Sequence, residues 1–116
     1  MALGLPKEER LCGRTAISAL MSKGKWEHTE HLRCCFAAGN GLEHSRLMVS
    51  VPKKYFKRAV KRNLLKRRMR EAYRLQKELL GSGFDVLFSY GSPEVADFSV
   101  LSAEVASLLG KIASRS

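Results

Sequence analysis

Residues 59–80 read AVKRNLLKRRMREAYRLQKELL, with neither Gly nor Pro and many strong helix formers. They predict one helix of about six turns, about 33 Å long, stopped by Gly81-Ser82-Gly83. At about 100° per residue the segment separates into two arcs. Leu64, Leu65, Met69, Ala72, Leu75 and Leu79 fall on one arc and are expected to pack on a sheet. Arg62, Asn63, Lys66, Arg67, Arg70, Arg74 and Lys77 fall on the other.

Working outward, the flanking sequence supplies the strands such a helix needs. Arg46 to Val51 reads as a strand closed by Pro52, and Leu32 to Ala38 as an earlier one followed by the turn Gly39-Asn40-Gly41. Asp85 to Tyr90 is a short apolar strand. Arg14 to Ser22 predicts a helix with Ile17, Leu20 and Met21 on its buried face, ended by Gly24. Val100 to Ile112 suits a last amphipathic helix with Ser99 as its cap. At 116 residues without repeats or low-complexity stretches, the chain is read as one α+β domain, residues 1–116.

The charge is concentrated. The chain carries 21 Lys and Arg against 11 Asp and Glu, a formal net charge of +10. Residues 53–77 hold 12 of the basic residues and one acid, Glu71, so the rest of the chain is close to neutral. Lysines scattered for solubility would not cluster so. Arg62, Lys66, Arg70 and Arg74 form an i, i+4 row of one sign, each like-charge pair costing about 0.2–0.5 kcal/mol. Arg62 also lies near the helix start, where the dipole disfavours cations. Two local stability rules fail in one place, which marks a functional surface, and phosphates along the row would reverse both costs. Asn63 adds an amide that both donates and accepts, suited to a base edge, a 2′-hydroxyl or a turned backbone.

Other chemistry is not indicated. No clustered carboxylates or His-based acid and base pair is evident, so no catalytic residue is assigned. His28, His31 and His44 lie in or near loop-like sequence, and His31 with Cys34 lacks two further ligands, so no metal site is expected. Cys34 and Cys35 are adjacent and too close for a disulfide of ordinary geometry, so free thiols in a reducing compartment are expected. The N-terminus lacks the layout of a secretory signal, and no apolar run reaches the roughly 18 residues of a membrane span. A cytoplasmic protein is the expectation.

The run Leu47-Met-Val-Ser-Val-Pro-Lys-Lys54, followed by Lys61-Arg-Asn-Leu-Leu-Lys-Arg-Arg-Met-Arg-Glu-Ala-Tyr-Arg74, resembles the signature of the bacterial ribonuclease P protein family: a strand leading into a helix of the form R-N-x-x-K-R-x-x-R. Leu5-Pro-Lys-Glu-Glu-Arg-Leu11 and Phe84-Asp-Val-Leu-Phe88 resemble the family in the same order. The resemblance implies a two-layer α-β-β-β-α-β-α sandwich with a left-handed β-α-β crossover, as in a ribosomal protein domain, and an extra strand within Lys25 to Glu30. It implies a non-catalytic protein subunit that binds the catalytic RNA and the 5′ leader of precursor tRNA, with no further protein partner required. The Mg²⁺ for endonucleolytic leader removal would be bound mainly by the RNA. By position Arg62, Asn63, Lys66, Arg67 and Arg70 match the family's RNA-contact and cleft residues, and Lys53, Lys54, Arg58 and Arg74 extend that surface. Ile17, Met21, Cys35 and Phe36 are the candidates for the leader cleft. Two departures stand out. Leu64 occupies a position that is often basic, and Ile17 and Met21 replace cleft aromatics. A ribosomal or other structured-RNA-binding protein without a processing role is the alternative that composition leaves open.

Overall fold

The computed structural model describes residues 9–115. The elements run α1 (Arg14–Lys23), β1 (Lys25–His28), β2 (Leu32–Ala38), β3 (Arg46–Ser50), α2 (Ala59–Gln76), β4 (Phe84–Tyr90) and α3 (Phe98–Arg115). This is the α+β order expected, including the extra strand, whose four residues are too few for periodicity to reveal. The family-like segment at residues 5–8 lies outside the described residues.

The sheet order is β1-β2-β4-β3. β1 pairs antiparallel with β2, β2 antiparallel with β4, and β3 parallel with β4, so α2 is the connection between two parallel neighbours. Asn40 ties the β2–β3 loop to β4, its amide donating to the Phe84 carbonyl at 3.2 Å and to Asp85 Oδ1 at 3.1 Å. Asp85 in turn takes two hydrogen bonds from Arg46 of β3, at 2.7 and 2.8 Å. Upstream of α1, the Leu11 N–H donates to the Leu47 carbonyl at 2.9 Å, laying that segment along β3.

Strand alternation divides the core. Leu32, Cys34 and Phe36 of β2, with Val86, Phe88 and Tyr90 of β4, face α2 and α3. Cys35 and Leu87, with the half-buried Ala37 and Met48, face α1 through Leu20 and Ile17. Gly24 permits the α1 contact. A Cβ there would stand 2.4 Å from the Cys35 sulfur and 2.6 Å from the Leu20 carbonyl.

Four expectations need correction. Met21, expected on the buried face of α1 with Ile17 and Leu20, is exposed. The α2 stripe that is buried is Leu65, Met69, Ala72 and Tyr73, while Leu75 and Leu79 are about half exposed. α3 lies alongside α2, and the Tyr73 ring packs edge-on against Phe88 at 6.5 Å, which turns the stripe away from the arc drawn by aliphatic residues alone. Gln76 is drawn in as well, because Ser102 of α3 accepts from its amide at 3.0 Å. α2 ends at Gln76, passing into a tighter turn at Lys77–Leu79 before the buried Leu80 and the positive φ of Gly81 and Gly83. α3 begins at Phe98, the Leu101 N–H bonding the Asp97 carbonyl, so Ser99 lies inside its first turn and does not cap it.

Candidate nucleic-acid interface

The basic segment opens with the Pro52–Arg58 loop and runs into α2, whose first turn has no acidic residue and no side-chain cap. The uncapped N–H groups leave that end electropositive. Lys53, Lys54, Lys57 and Arg58 are exposed on the loop, Lys54 with its ammonium 5.0 Å from the centre of the Tyr55 ring. Arg62 clamps the loop to the helix, its Nη1 donating to the carbonyls of Phe56 and Lys57, both at 2.8 Å. Its role is therefore partly internal, which a charge count does not reveal.

Beyond Arg62 the face opens. Asn63, Arg67 and Arg70 are exposed and Lys66 is half-buried, and none of the four side chains makes a hydrogen bond or ion pair with another described residue. The later cations are engaged. Arg74 donates to Glu71 through Nε at 3.0 Å, and Lys77 Nζ lies 2.7 Å from Glu9 Oε1. Arg68 faces elsewhere, giving Nη1 to the Ala96 carbonyl at 2.6 Å. The row expected to run unbroken from Arg62 to Arg74 is thus engaged at both ends and free in the middle, where Lys66 and Arg70 stand with Arg67 and Asn63 beside them.

The second candidate surface is the sheet face beside α1. Ile17 is half-buried there, packing with Leu20 and Cys35, and Met21 is 46% exposed. Cys35 is fully buried and its Sγ sits 3.5 Å from the Leu20 carbonyl, so burial pushes the thiol up and leaves it as packing. Phe36 does not join them. It is 2% exposed in the core under α2 and α3, with the Arg115 guanidinium 5.5 Å from its ring, because neighbouring residues of a strand face opposite ways. What the expected set left out is Trp26. It pairs directly with Cys35 in the antiparallel β1–β2 register, which puts both side chains on the same face, and it is 47% exposed. Only the register shows this, since β1 was not resolved as a strand by pattern.

Among the described residues no helix is long and apolar enough to cross a membrane.

Comparison with known proteins gives one answer by three routes. A family model described as Ribonuclease P matches residues 5–113. A ribonuclease P protein component of Porphyromonas gingivalis is 38% identical, over 95% of this chain and 87% of that one. One from Ralstonia pickettii is 35% identical, over 95% of this chain and 82% of its own length. Among solved structures, the ribonuclease P protein of Thermotoga maritima superposes with a TM-score of 0.79 at 30% identity, covering 90% of this chain and 97% of that one. That of Staphylococcus aureus, at 23% identity and a TM-score of 0.77 over 90% of this chain and 94% of its own, shares the fold. The strand order, the basic helix between parallel strands and this match along nearly the whole sequence agree, and the chain belongs to the ribonuclease P protein family.

Proposed function

We propose that the chain is the RNA-binding subunit of ribonuclease P, docking the catalytic RNA on α2 and taking the single-stranded 5′ leader of precursor tRNA on the sheet face beside α1. The carrying observation is the group Asn63, Lys66, Arg67 and Arg70, whose polar heads have no partner among the described residues. Four such groups on one helix face serve an outside polyanion better than they serve the fold. Arg62 supports the face by holding the Lys53–Arg58 loop beside it. On the other surface Trp26 is the stacking group and Met21 a pliable apolar neighbour, with Ile17 and Cys35 as the floor.

Cleavage is assigned to the RNA with its Mg²⁺. The one carboxylate within α2, Glu71, is held by Arg74 below its ordinary pKa and is committed to that contact. By neutralising phosphate the protein lets two polyanions approach and lowers the Mg²⁺ the RNA needs. The test is reconstitution with the cognate catalytic RNA at low Mg²⁺. Cleavage of precursor tRNA at the mature 5′ end is expected from the mixture and none from RNA-free protein. Cutting by protein alone, or no stimulation of the RNA, would overturn the proposal.

A further inference from the structure

Three of the chain's 11 acidic side chains gather around one imidazole, although the net charge is +10. His31 stands where β1 turns into β2, its side chain 8% exposed. Glu104, reaching up from α3, accepts the His31 backbone N–H at 2.9 Å and the Thr29 hydroxyl on one oxygen, and meets the ring Nδ1 at 2.5 Å with the other. Those contacts fix the ring plane and keep the proton on Nδ1, which donates to the Glu104 carboxylate. Nε2 therefore points the opposite way, toward Glu94 Oε1 of the β4–α3 loop at 3.5 Å. Glu30 completes the group, and one ligand atom each from Glu30, His31 and Glu94 lie within 4.8 Å of one another.

A carboxylate on Nδ1 with Nε2 aimed at two further carboxylates is how metal-binding histidines are commonly supported. The spacing also fits. Ligands of a tetrahedral Zn²⁺ at about 2.0–2.1 Å stand about 3.3 Å apart, close to the Nε2–Oε1 separation. Glu30 and Glu94 are exposed and can rotate to close the rest. Three carboxylates around one imidazole keep net negative charge whether the ring is neutral or protonated. A groove of about 460 Å³ lined by Glu30, His31 and Arg33 gives entry and room for water ligands.

We infer that Glu30, His31 and Glu94 form a binding site for a divalent transition-metal cation of the Zn²⁺ type, with Glu104 as the positioning residue. Imidazole with carboxylates selects such ions over Mg²⁺, which prefers oxygen alone. Bound there, the ion joins the β1–β2 turn to the loop entering α3, in a groove that Trp26 also lines. The proton is its competitor, because the imidazole must be neutral to ligate a metal. The Tyr90 ring lies 6.2 Å from that of His31, and the Arg33 side chain passes over Gly91.

Zn²⁺ is titrated into the full chain, free of RNA and carrying Cys12→Ser to remove the exposed thiol, with calorimetry, thermal unfolding and the His31 ring ¹⁵N signals as readouts. Saturable one-to-one binding is expected, with a higher Tm, a shift of Nε2 while Nδ1 keeps its proton, and weaker affinity as pH is lowered. Glu30→Gln and Glu94→Gln should each weaken binding about tenfold or more with only a small change in the metal-free Tm, since both side chains are exposed. Mg²⁺ at the same concentration should raise Tm little. No saturable Zn²⁺ binding, binding that survives both Gln variants, or an equal response to Mg²⁺ would each overturn the site.

Discussion

α2 and α3 are both 18 residues long and lie side by side on the same sheet face, yet their outer surfaces have opposite chemistry. α3 buries Leu101, Val105, Leu108, Leu109 and Ile112 and turns mostly Ser and Ala outward. α2 buries Leu65, Met69, Ala72 and Tyr73 and turns Lys and Arg outward. The packing task is shared, so the unpartnered cations of α2, Lys66, Arg67 and Arg70, answer no need of the fold. The one acid of α3, Glu104, is by contrast wholly committed to holding the β1–β2 turn.

The sharpest test of the shared half is to hollow both stripes. Leu65→Ala and Leu108→Ala each remove a fully buried side chain and should each cost about 2–5 kcal/mol in urea unfolding. A cost below about 1 kcal/mol for either would break the parallel. The unshared half is tested by replacing Lys66, Arg67 and Arg70 together with Ala. Affinity for the catalytic RNA should fall about 100-fold or more, with a salt slope shallower by about 2–3. Stability should hold or rise by about 0.2–0.5 kcal/mol as the Lys66–Arg70 repulsion goes. Arg74→Ala is the control, expected to lose much less RNA affinity because Glu71 already neutralises it. Loss of stability matching the loss of binding would return these charges to the fold.

The smallest effect is in pH dependence, measured in EDTA. His31 titrates above its ordinary 6.5 because of Glu104, so its contribution is complete below 6.5 and fades as pH rises through the folded value. Burial pushes the Glu104 carboxyl up, but hydrogen bonds from Thr29 and His31 outweigh it and hold it below 4.5. That contribution is present above 4.5 and fades as pH falls through the folded value. Glu104→Gln should flatten both flanks of the stability profile, while the triple α2 variant keeps them. A parental profile with no decline above 6.5 would show that the imidazole is not a stabilising cation.

Much of this architecture was legible because the signals are local. Gly81 and Gly83 turn the chain after α2 and its closing turn, Pro52 follows β3, and the Gly39-Asn40-Gly41 turn separates two strands, each a matter of a few neighbouring residues. The basic face was legible for the same reason. What escaped depends on partners distant in sequence. Glu104 is 73 residues from His31, so a histidine read as loop-like proved to be buried and anchored. Arg74 and Lys77 were counted with the free cations, but Glu71 and Glu9 hold them. Phe36 was grouped with Cys35 by adjacency in sequence, whereas the strand sends them to opposite faces of the sheet, and the same register brings Trp26 to the face from which Phe36 is absent.

The placement of the three cysteines has a practical consequence for watching this protein work. Cys34 and Cys35 are fully buried with their thiols pushed up by burial, whereas Cys12 is exposed just ahead of α1. A maleimide reacts with the thiolate, so native protein should take a fluorophore at one position without mutagenesis. That position borders the helix packed on the sheet face where Trp26 stands. The unmodified sequence thus supplies one attachment site for an acceptor dye and one indole donor, a pair that can test the proposed arrival of a single-stranded RNA.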